Sequence, residues 1–393
     1  MKIMKLEADT RVLTEKLNQI VKVISNNAFS NEMQKMVVIE TSKDGFGLNL
    51  TGSNSCSWLS LAIGKENVTV KEKGSLAVDA KFLLEILKTL SDKWVVIETK
   101  KDGMLNIKTE TSSFDIPSVD SSNYPQLKDE KQTMTVDVNL SDLTDLIRRT
   151  AYCCDNGSEM REVLKGIKFT FNSDSIVAIA TDSHVMSRVT IKCKSEGEVD
   201  KPSSLLIPAK AIKNVASFFD DDQVKLLISD TQMKIVGEGV ELALRSLAGT
   251  YPNVESILDG FSDPEVEFDV NRLDFIASLK RTKVVASKIE AGGAFLGVLS
   301  IVDGHVQLKA KSRTRMADSF EAIQVSNYQG ADPFEIGLNV LNILNILTYS
   351  YTNNDEKIHF AFKGRLNPIQ ITAGDHFEKG NDQLVTPIRY DFN

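Results

Sequence analysis

The chain is poor in the groups on which catalytic and metal chemistry usually depends. Its 393 residues include four histidines, at 184, 305, 359 and 376, and four cysteines, at 56, 153, 154 and 193. The histidines are scattered, and only Cys153 and Cys154 are neighbours, a spacing that matches neither a zinc site nor a redox motif. The thiols are therefore read as reduced, and no metal or other cofactor is expected. Also missing are a Walker A loop, a dinucleotide-binding glycine fingerprint and a His-Glu-x-x-His pair. An enzyme is not expected on this basis. The one acid–imidazole pair, Asp182 and His184, would share a face if an alternating strand ran through both, but no nucleophile accompanies it.

Long apolar runs are missing too. No stretch approaches the about 18 apolar residues of a membrane helix, and Met1 to Asp9 has neither a signal-peptide core nor an Arg-rich transit pattern. A soluble, cytoplasmic protein without a membrane partner is expected. Nor is there an excess of positive charge: 46 Lys and Arg stand against 54 Asp and Glu, a formal charge of −8. Since phosphate neutralisation by basic side chains supplies most non-specific nucleic-acid affinity, a surface basic all round is excluded, whereas one basic face is not. What remains is an ordinary globular composition, 42% hydrophobic and 25% charged. At about 150 residues per domain, the length suggests two or three cores.

An internal repeat favours three. Val136-Asp137-Val138-Asn139 leads to Leu143, Leu146, Ile147 and Arg148-Arg149-Thr150. Phe268-Asp269-Val270-Asn271 leads, 132 residues later, to Leu273, Phe275, Ile276, Leu279 and Lys280-Arg281-Thr282. Leu6-Glu7-Ala8-Asp9, followed by Leu13, Leu17, Ile20 and Val21, is a weaker copy 130 residues before Val136. In each, a short strand hands over at Asp or Asn to an amphipathic helix with apolar residues three and four apart. A second element keeps the same period. Val78, Ile207 and Leu338, at offsets of 129 and 131, each end a strand that leads into another helix. These helices carry Phe82, Leu83, Ile86 and Leu87; then Ile212 and Val215; then Val340, Ile343, Leu344 and Leu347. Asp79 and Asn339 suit N-caps, and Pro208 suits a first turn.

Alternating stretches such as Val95-Val96-Ile97-Glu98, Lys225-Leu226-Leu227-Ile228 and Lys357-Ile358-His359-Phe360 read as half-buried strands. Lys101-Asp102-Gly103 and Val302-Asp303-Gly304 read as hairpin turns. Tyr124-Pro125 and Tyr251-Pro252 close the first two copies. The expected fold is α+β, three tandem modules of two helices on antiparallel sheets, over residues 1–130, 131–258 and 259–393.

Antiparallel sheets commonly bury one face, so repetition would bring the helices to one side. Their exposed faces would carry Lys16, Lys22, Arg148, Arg149, Lys280, Arg281 and Lys283, with Lys81, Lys88, Lys210 and Lys213 from the second helices. Singly, each reads as a solvated helix face; recurrence at equivalent positions favours one basic concave surface. Acidic residues gather elsewhere, at Asp220-Asp221-Asp222 and from Glu196 to Asp200. A purely structural or adhesive repeat would lack basic residues in register.

One segment carries a family resemblance. Ile179-Ala180-Thr181-Asp182-Ser183-His184-Val185-Met186 resembles the Ala-Thr-Asp-Gly-His-Arg-Leu signature of the bacterial DNA polymerase III beta subunit family, the DNA sliding clamps. Arg161 and Leu164-Lys165-Gly166-Ile167, Tyr251-Pro252 and the tail Leu384-Val385-Thr386-Pro387-Ile388-Arg389 fall in the family's order, so the likeness spans essentially the whole chain. The resemblance implies a head-to-tail homodimer whose six modules encircle duplex DNA without reading sequence. It implies as partners a replicative polymerase, a clamp loader and other proteins that dock short linear peptides between the second and third modules. The implied groove residues are Leu164, Thr181, Ser183, His184, Val185, Met186, Pro252, Ile257, Pro368, Val385, Thr386, Pro387, Ile388 and Arg389. Apolar anchors there would supply most of the affinity. The implied ring interface pairs Phe114 and Ile116, on an edge strand, with Val284 and Val285 on a facing helix.

Several positions depart from the family pattern. Ser183 and Val185 stand where the signature has Gly and Arg, removing a cation from the groove. Ser25 to Met36 replaces an Arg-Pro-rich stretch, and Glu162 and Val163 replace two aromatic residues that some clamps place beside DNA. The chain runs on past the usual end through Tyr390-Asp391-Phe392-Asn393. A divergent clamp is expected. The other reading is a clamp-fold scaffold that binds partners without supporting processive replication.

Overall fold

The computed structural model describes all residues except 1–3, 25–31, 101, 129, 155–156, 158–160, 198–202, 255, 258–260, 287–293, 313–315, 353, 374–380 and 391–393. Most of the Ser25 to Met36 segment, Lys101 of the first hairpin turn, the end of the Glu196 to Asp200 acidic run, His376 and the last three tail residues thus lie outside the described residues.

Helix starts follow the side chains that can cap them. In α1 (Thr10–Val21), Asp9 Oδ1 accepts from the backbone N–H groups of Arg11 and Val12 at 3.0 and 3.1 Å. In α2 (Ala80–Thr89), Asp79 accepts from Phe82 N at 2.8 Å. The helix α3 (Leu140–Ala151) begins after Asn139, whose amide instead donates to Asp142 at 2.9 Å. Each side-chain cap contributes about 1 kcal/mol by satisfying N–H groups that the first helical turn leaves free. Pro208 precedes α4 (Ala209–Ile212) and has no side chain to offer. The expected second helix of the middle third is only one α-turn followed by a 3-10 turn at Val215–Ser217, because Asn214 leaves helical geometry at φ −98°, ψ 11°. In α5 (Arg272–Val285), Asn271 accepts from Leu273 and Asp274 N at 3.0 and 3.1 Å. In α6 (Val340–Tyr349), Asn339 accepts from Leu341 N at 3.1 Å.

The chain divides into two compact units. The first comprises Met1–Thr144 and Cys193–Ser246, and one continuous fourteen-stranded sheet runs through it. Its continuity rests on Val240–Arg245 pairing antiparallel with Ser57–Ile63, which joins strands of the expected first and second modules by backbone hydrogen bonds. Inside this unit α1 lies against α2 and against the strands Leu48–Ser53 and Ser57–Ile63. Leu13, Leu17 and Ile20 are fully buried there, each stabilising the unit by about 1.5–3 kcal/mol.

The second unit comprises Asp145–Lys192 and Leu247–Asn393. One of its sheets contains, in order, Gly166–Phe171, Ser175–Thr181, Val185–Lys192, Asp382–Val385, Ile369–Ala373, Lys357–Phe362, Val266–Asn271 and Val325–Gly330. The other is four-stranded, ordered Ala317–Ile323, His305–Ser312, Leu296–Val302, Phe334–Asn339. Its hairpin at Val302–His305 turns through Asp303 at φ 50° and Gly304 at φ 73°, the two positive values that match the twist of the flanking strands. Arg272, only 5% exposed, fastens the start of α5 to the last turn of α6 and to the loop after it by donating to the carbonyls of Leu347 at 3.0 Å and Asp355 at 3.2 Å. A cation placed on a carbonyl of the last turn of α6 also interacts favourably with the negative end of that helix's dipole.

Two helix residues expected in the core are outside it. Phe82 is 47% and Leu273 60% exposed. The buried stripe of α2 contains Ala80, Leu83, Leu84 and Leu87, and that of α5 contains Phe275, Ser278, Leu279 and Thr282. Phe82 and Leu273 each stand two residues from the first member of their stripe, about 200° around the helix, so they face away from it.

Candidate functional site

The signature segment folds as a hairpin. Ser175–Thr181 runs up, residues 182–184 turn, and Val185–Lys192 returns, with Thr181 opposite Met186. Asp182 Oδ1 accepts from the backbone N–H groups of His184 and Val185, both at 2.8 Å. Thr181 Oγ1 donates to the Val185 carbonyl at 2.7 Å and accepts from Ser183 N at 3.1 Å. This corrects the expectation that Asp182 and His184 share the face of an alternating strand. They lie in a turn, and the carboxylate caps its backbone. The turn also puts Ser183 at φ 78°, a left-handed conformation that costs a residue with a Cβ about 1–2 kcal/mol. Glycine, which the family signature has here, adopts it freely.

Polar contacts hold the returning strand to Asp382–Val385. Arg188 reaches Asp382 Oδ2 from Nε at 3.0 Å and Nη2 at 2.6 Å, and Asp382 is 2% exposed. The Tyr351 hydroxyl donates to Gln383 Oε1 at 2.7 Å, Gln383 Nε2 to Ser187 Oγ at 3.3 Å, and Ser187 Oγ to the Arg149 carbonyl at 2.7 Å. A fully bonded buried chain of this kind specifies one register, because a slipped strand would leave each member unpaired. The register sets Val185 opposite Val385 and Met186 opposite Leu384. Beyond the strand, Thr386 N donates to the His184 carbonyl at 2.8 Å and Ile388 N to the Gly337 carbonyl at 2.8 Å.

These elements enclose a cleft of about 240 Å³, lined by Thr181, Ser183, His184, Val185, Met186, Pro252, Val254, Ile257, Pro368, Leu384 and Thr386. Among the described residues its lining has no Asp, Glu, Lys or Arg, and apolar side chains dominate it. An occupant would be held by burying apolar side chains, with few polar groups to orient it. Ile179, Met186 and Leu384 form the core under its floor, flanked by Tyr251, Val254 and Phe261. Burial pushes the Tyr251 phenol well above its ordinary range.

Of the groove residues implied by the signature, Leu164 and Val385 are 4% and 1% exposed, and neither lines the cleft. Pro387, Ile388 and Arg389, which follow Thr386, are not among the residues that line it either. Leu384 and Val254 line it and were missed. Leu384 could have been found from strand periodicity: it shares a face with Thr386, whereas Val385 points the other way.

The basic helix residues fall into two classes. Lys22, Lys81, Lys88, Lys210, Lys213 and Lys280 are exposed, and Lys16 is half-buried. The others are engaged. Asp145 pairs with both Arg148 and, at 3.6 Å, Arg149; Arg148 also donates to the Tyr349 carbonyl. The Arg149 side chain is only 18% exposed, which corrects its placement on a solvated face; it flanks the buried Leu146 and Thr150. Arg281 is bound by Glu321 at 2.6 Å, which raises the guanidinium's pKa and lowers the carboxyl's, mainly through their mutual hydrogen bond. The Lys283 ammonium lies 5.4 Å from the Phe295 ring centroid.

The strand Ser113–Val119 pairs with Met104–Lys108 along residues 113–117 but with Ser75–Asp79 only through Ser118 and Val119, so its first part has one open edge among the described residues. Phe114 there is half-buried. Ile116 is 2% exposed and belongs to the chain's own core, so it is withdrawn as an interface contact. Val284 is 67% exposed and Val285 half-buried. Beside α5, Ala317–Ile323 forms the edge of its sheet and carries Phe320, 59% exposed, which sequence reading missed.

Comparison with known proteins decides the family. Residues 4–128 match the model of the DNA polymerase III beta subunit N-terminal domain, and residues 137–253 match that of its central domain, together more than half of the chain. The chain belongs to the DNA polymerase III beta subunit family. Relatives called beta sliding clamp include that of Bacillus subtilis, 26% identical over 96% of this chain and 97% of its own length. That of Halalkalibacterium halodurans is 23% identical over 97% of this chain and 98% of its own length. The fold matches the DNA polymerase sliding clamp of B. subtilis with a TM-score of 0.88 at 24% identity, covering 99% of this chain and 100% of that one. It matches the P. aeruginosa sliding clamp solved bound to griselimycin with a TM-score of 0.86 at 19% identity, covering 98% of this chain and 100% of that one. This family member is therefore an α+β protein with the clamp fold over essentially its full length.

Proposed function

We propose that this chain is a DNA sliding clamp. Two copies associate head to tail so that their modules, 1–130, 131–258 and 259–393 of each, close a ring around duplex DNA and hold a replicative polymerase on its template. Family membership along nearly the whole chain carries the reading. The exposed Lys22, at the C-cap of α1, and the exposed lysines of α2 and α5 support it, because a topologically tethered ring needs only a weakly attractive lining; many fixed phosphate contacts would slow sliding and steepen salt dependence. Ring closure joins the open edge at Phe114 of one copy to the Ala317–Ile323 edge, Val284 and Val285 of the other, and a head-to-tail contact of this kind closes if its rotation allows. The uncharged cleft receives peptides from polymerase, clamp loader and other partners by their apolar side chains. The protein acts in the cytoplasm as a tether, without catalysing a reaction.

The test is loading onto circular primed DNA by a clamp loader, followed by gel filtration. Retention on closed circles and loss after linearisation is the expected result; equal loss from both at moderate salt would overturn the topological mechanism. A second reading, a clamp-fold scaffold without processive replication, is favoured by the engagement of Arg148, Arg149 and Arg281 with acidic partners. Under that reading, cleft-directed peptides bind but no protein stays on closed circles.

A further inference from the structure

The chain's last described residues do more than end it. From Thr386 to Tyr390 the backbone belongs to no helix or strand. It is held at three points. Thr386 N donates to the His184 carbonyl, Ile388 N donates to the Gly337 carbonyl at 2.8 Å, and the Tyr390 hydroxyl donates to Glu335 Oε1. Pro387 between the first two has no N–H to give. Gly337 and Glu335 lie in the strand Phe334–Asn339, and Gly337 is bare for a reason: a Cβ there would stand 2.3 Å from the Ile388 carbonyl oxygen and 2.6 Å from Tyr390 Cδ1. The segment and the tyrosine ring therefore rest directly on backbone that any other residue would cover.

We infer that residues 386–390 form a strap across Phe334–Asn339 and that Tyr390, though outside the cleft, is a positioning residue for the cleft wall at Thr386 and hence for its peptide ligand. This rests on reading the cleft as a peptide groove. A segment held by so few backbone bonds frays readily, so its anchor decides how often it is closed. A wall held closed in advance spares the ligand the ordering cost of closing it. The anchor persists at neutral pH: burial first, and the Glu335 carboxylate second, keep the Tyr390 phenol above its ordinary range, protonated and able to donate.

The test uses hydrogen exchange by mass spectrometry on the full-length protein, followed through the peptic fragment containing residues 386–390. Tyr390→Phe removes the hydroxyl and keeps the ring, and should speed exchange at Thr386 and Ile388 about tenfold, as loss of a hydrogen bond to a charged acceptor implies. Exchange in Val185–Lys192 should stay as in the wild type. Gly337→Ala should loosen the same segment from the opposite side, and Glu335→Gln, which keeps a neutral acceptor, should have a smaller effect. Unchanged exchange in both Tyr390→Phe and Gly337→Ala would overturn the strap.

A fluorescein-labelled, uncharged hexapeptide rich in leucine and phenylalanine, read by anisotropy, tests the positioning role. Tyr390→Phe should weaken it about three- to tenfold and Glu335→Gln less, in the same order as their exchange effects. Looser exchange with unaltered affinity would overturn positioning. If the wild type fails to bind the probe, the groove reading falls, and the exchange data still decide the strap.

Discussion

The cleft and the basic helix faces are built to opposite standards. Around the cleft the polar groups that shape the hairpin and its neighbouring strand are locked: Asp182 caps its turn, Arg188 grips Asp382, and Tyr351, Gln383 and Ser187 form a buried chain. The helix lysines, by contrast, mostly stand in solvent with long, free side chains. A surface that recognises apolar side chains needs a fixed shape, because dispersion contacts are lost over fractions of an ångström. A surface that attracts a passing phosphate backbone needs only charge. The contrast can be broken at the cleft with large effects and at the helices with small ones.

The largest effect is expected at Asp382. Replacing it with alanine leaves the Arg188 guanidinium, 16% exposed, without its carboxylate. Loss of one partner of a buried pair destabilises by about 3–5 kcal/mol. Urea unfolding should show the midpoint falling, and a shift equivalent to less than about 1 kcal/mol would mean the pair is not what secures the strand.

Next comes association. Val284→Asp adds a charge where the side chain is 67% exposed, so the fold should persist, with thermal unfolding of the single chain changed by no more than about 0.5 kcal/mol. A charge facing an apolar contact across the proposed ring interface should shift sedimentation from dimer to monomer at micromolar concentration. An intact dimer would move the interface elsewhere.

The two regions also differed in how far the sequence revealed them. Asp9, Asp79, Asn271 and Asn339 could be read as hand-overs from strand to helix because capping is a local property, and all four cap in the structure. Phe82 and Leu273 were misplaced because belonging to an apolar helix does not give a residue's angle around it. Ile116 was misjudged because openness of a backbone edge and exposure of a side chain are separate properties. At the cleft, the hairpin residues were legible as one contiguous segment. Leu384 was within reach of strand periodicity, whereas Val254 and the distant anchor at Glu335 depend on contacts across long stretches of chain, which no local pattern encodes. The fate of the basic residues was unevenly legible: Asp145 stands three and four residues before Arg148 and Arg149 on one helix, a local spacing, whereas Glu321 meets Arg281 only once the chain has folded.

A smaller, stabilising change sharpens the comparison at the turn. Ser183→Gly relieves a φ of 78°, while glycine's freer unfolded chain offsets part of the gain. A net rise of about 0.5–1 kcal/mol is expected in urea unfolding. If stability instead falls, the serine hydroxyl contributes more to the turn than its backbone strain removes. Such a result would point to the departure from the family's glycine having a role at the cleft rim.

The smallest effect belongs to the helices. Lys22→Ala should leave stability unchanged, since the side chain is exposed. In the proposed ring it should alter only how the loaded protein responds to salt, lowering the salt dependence of its DNA affinity by about one counterion per lysine removed. Retention on closed circles should be the same as in the wild type at every salt concentration, because a closed ring is held by topology. Should one lysine decide retention, the helix face would be making fixed contacts, and the difference in kind between the two regions would disappear.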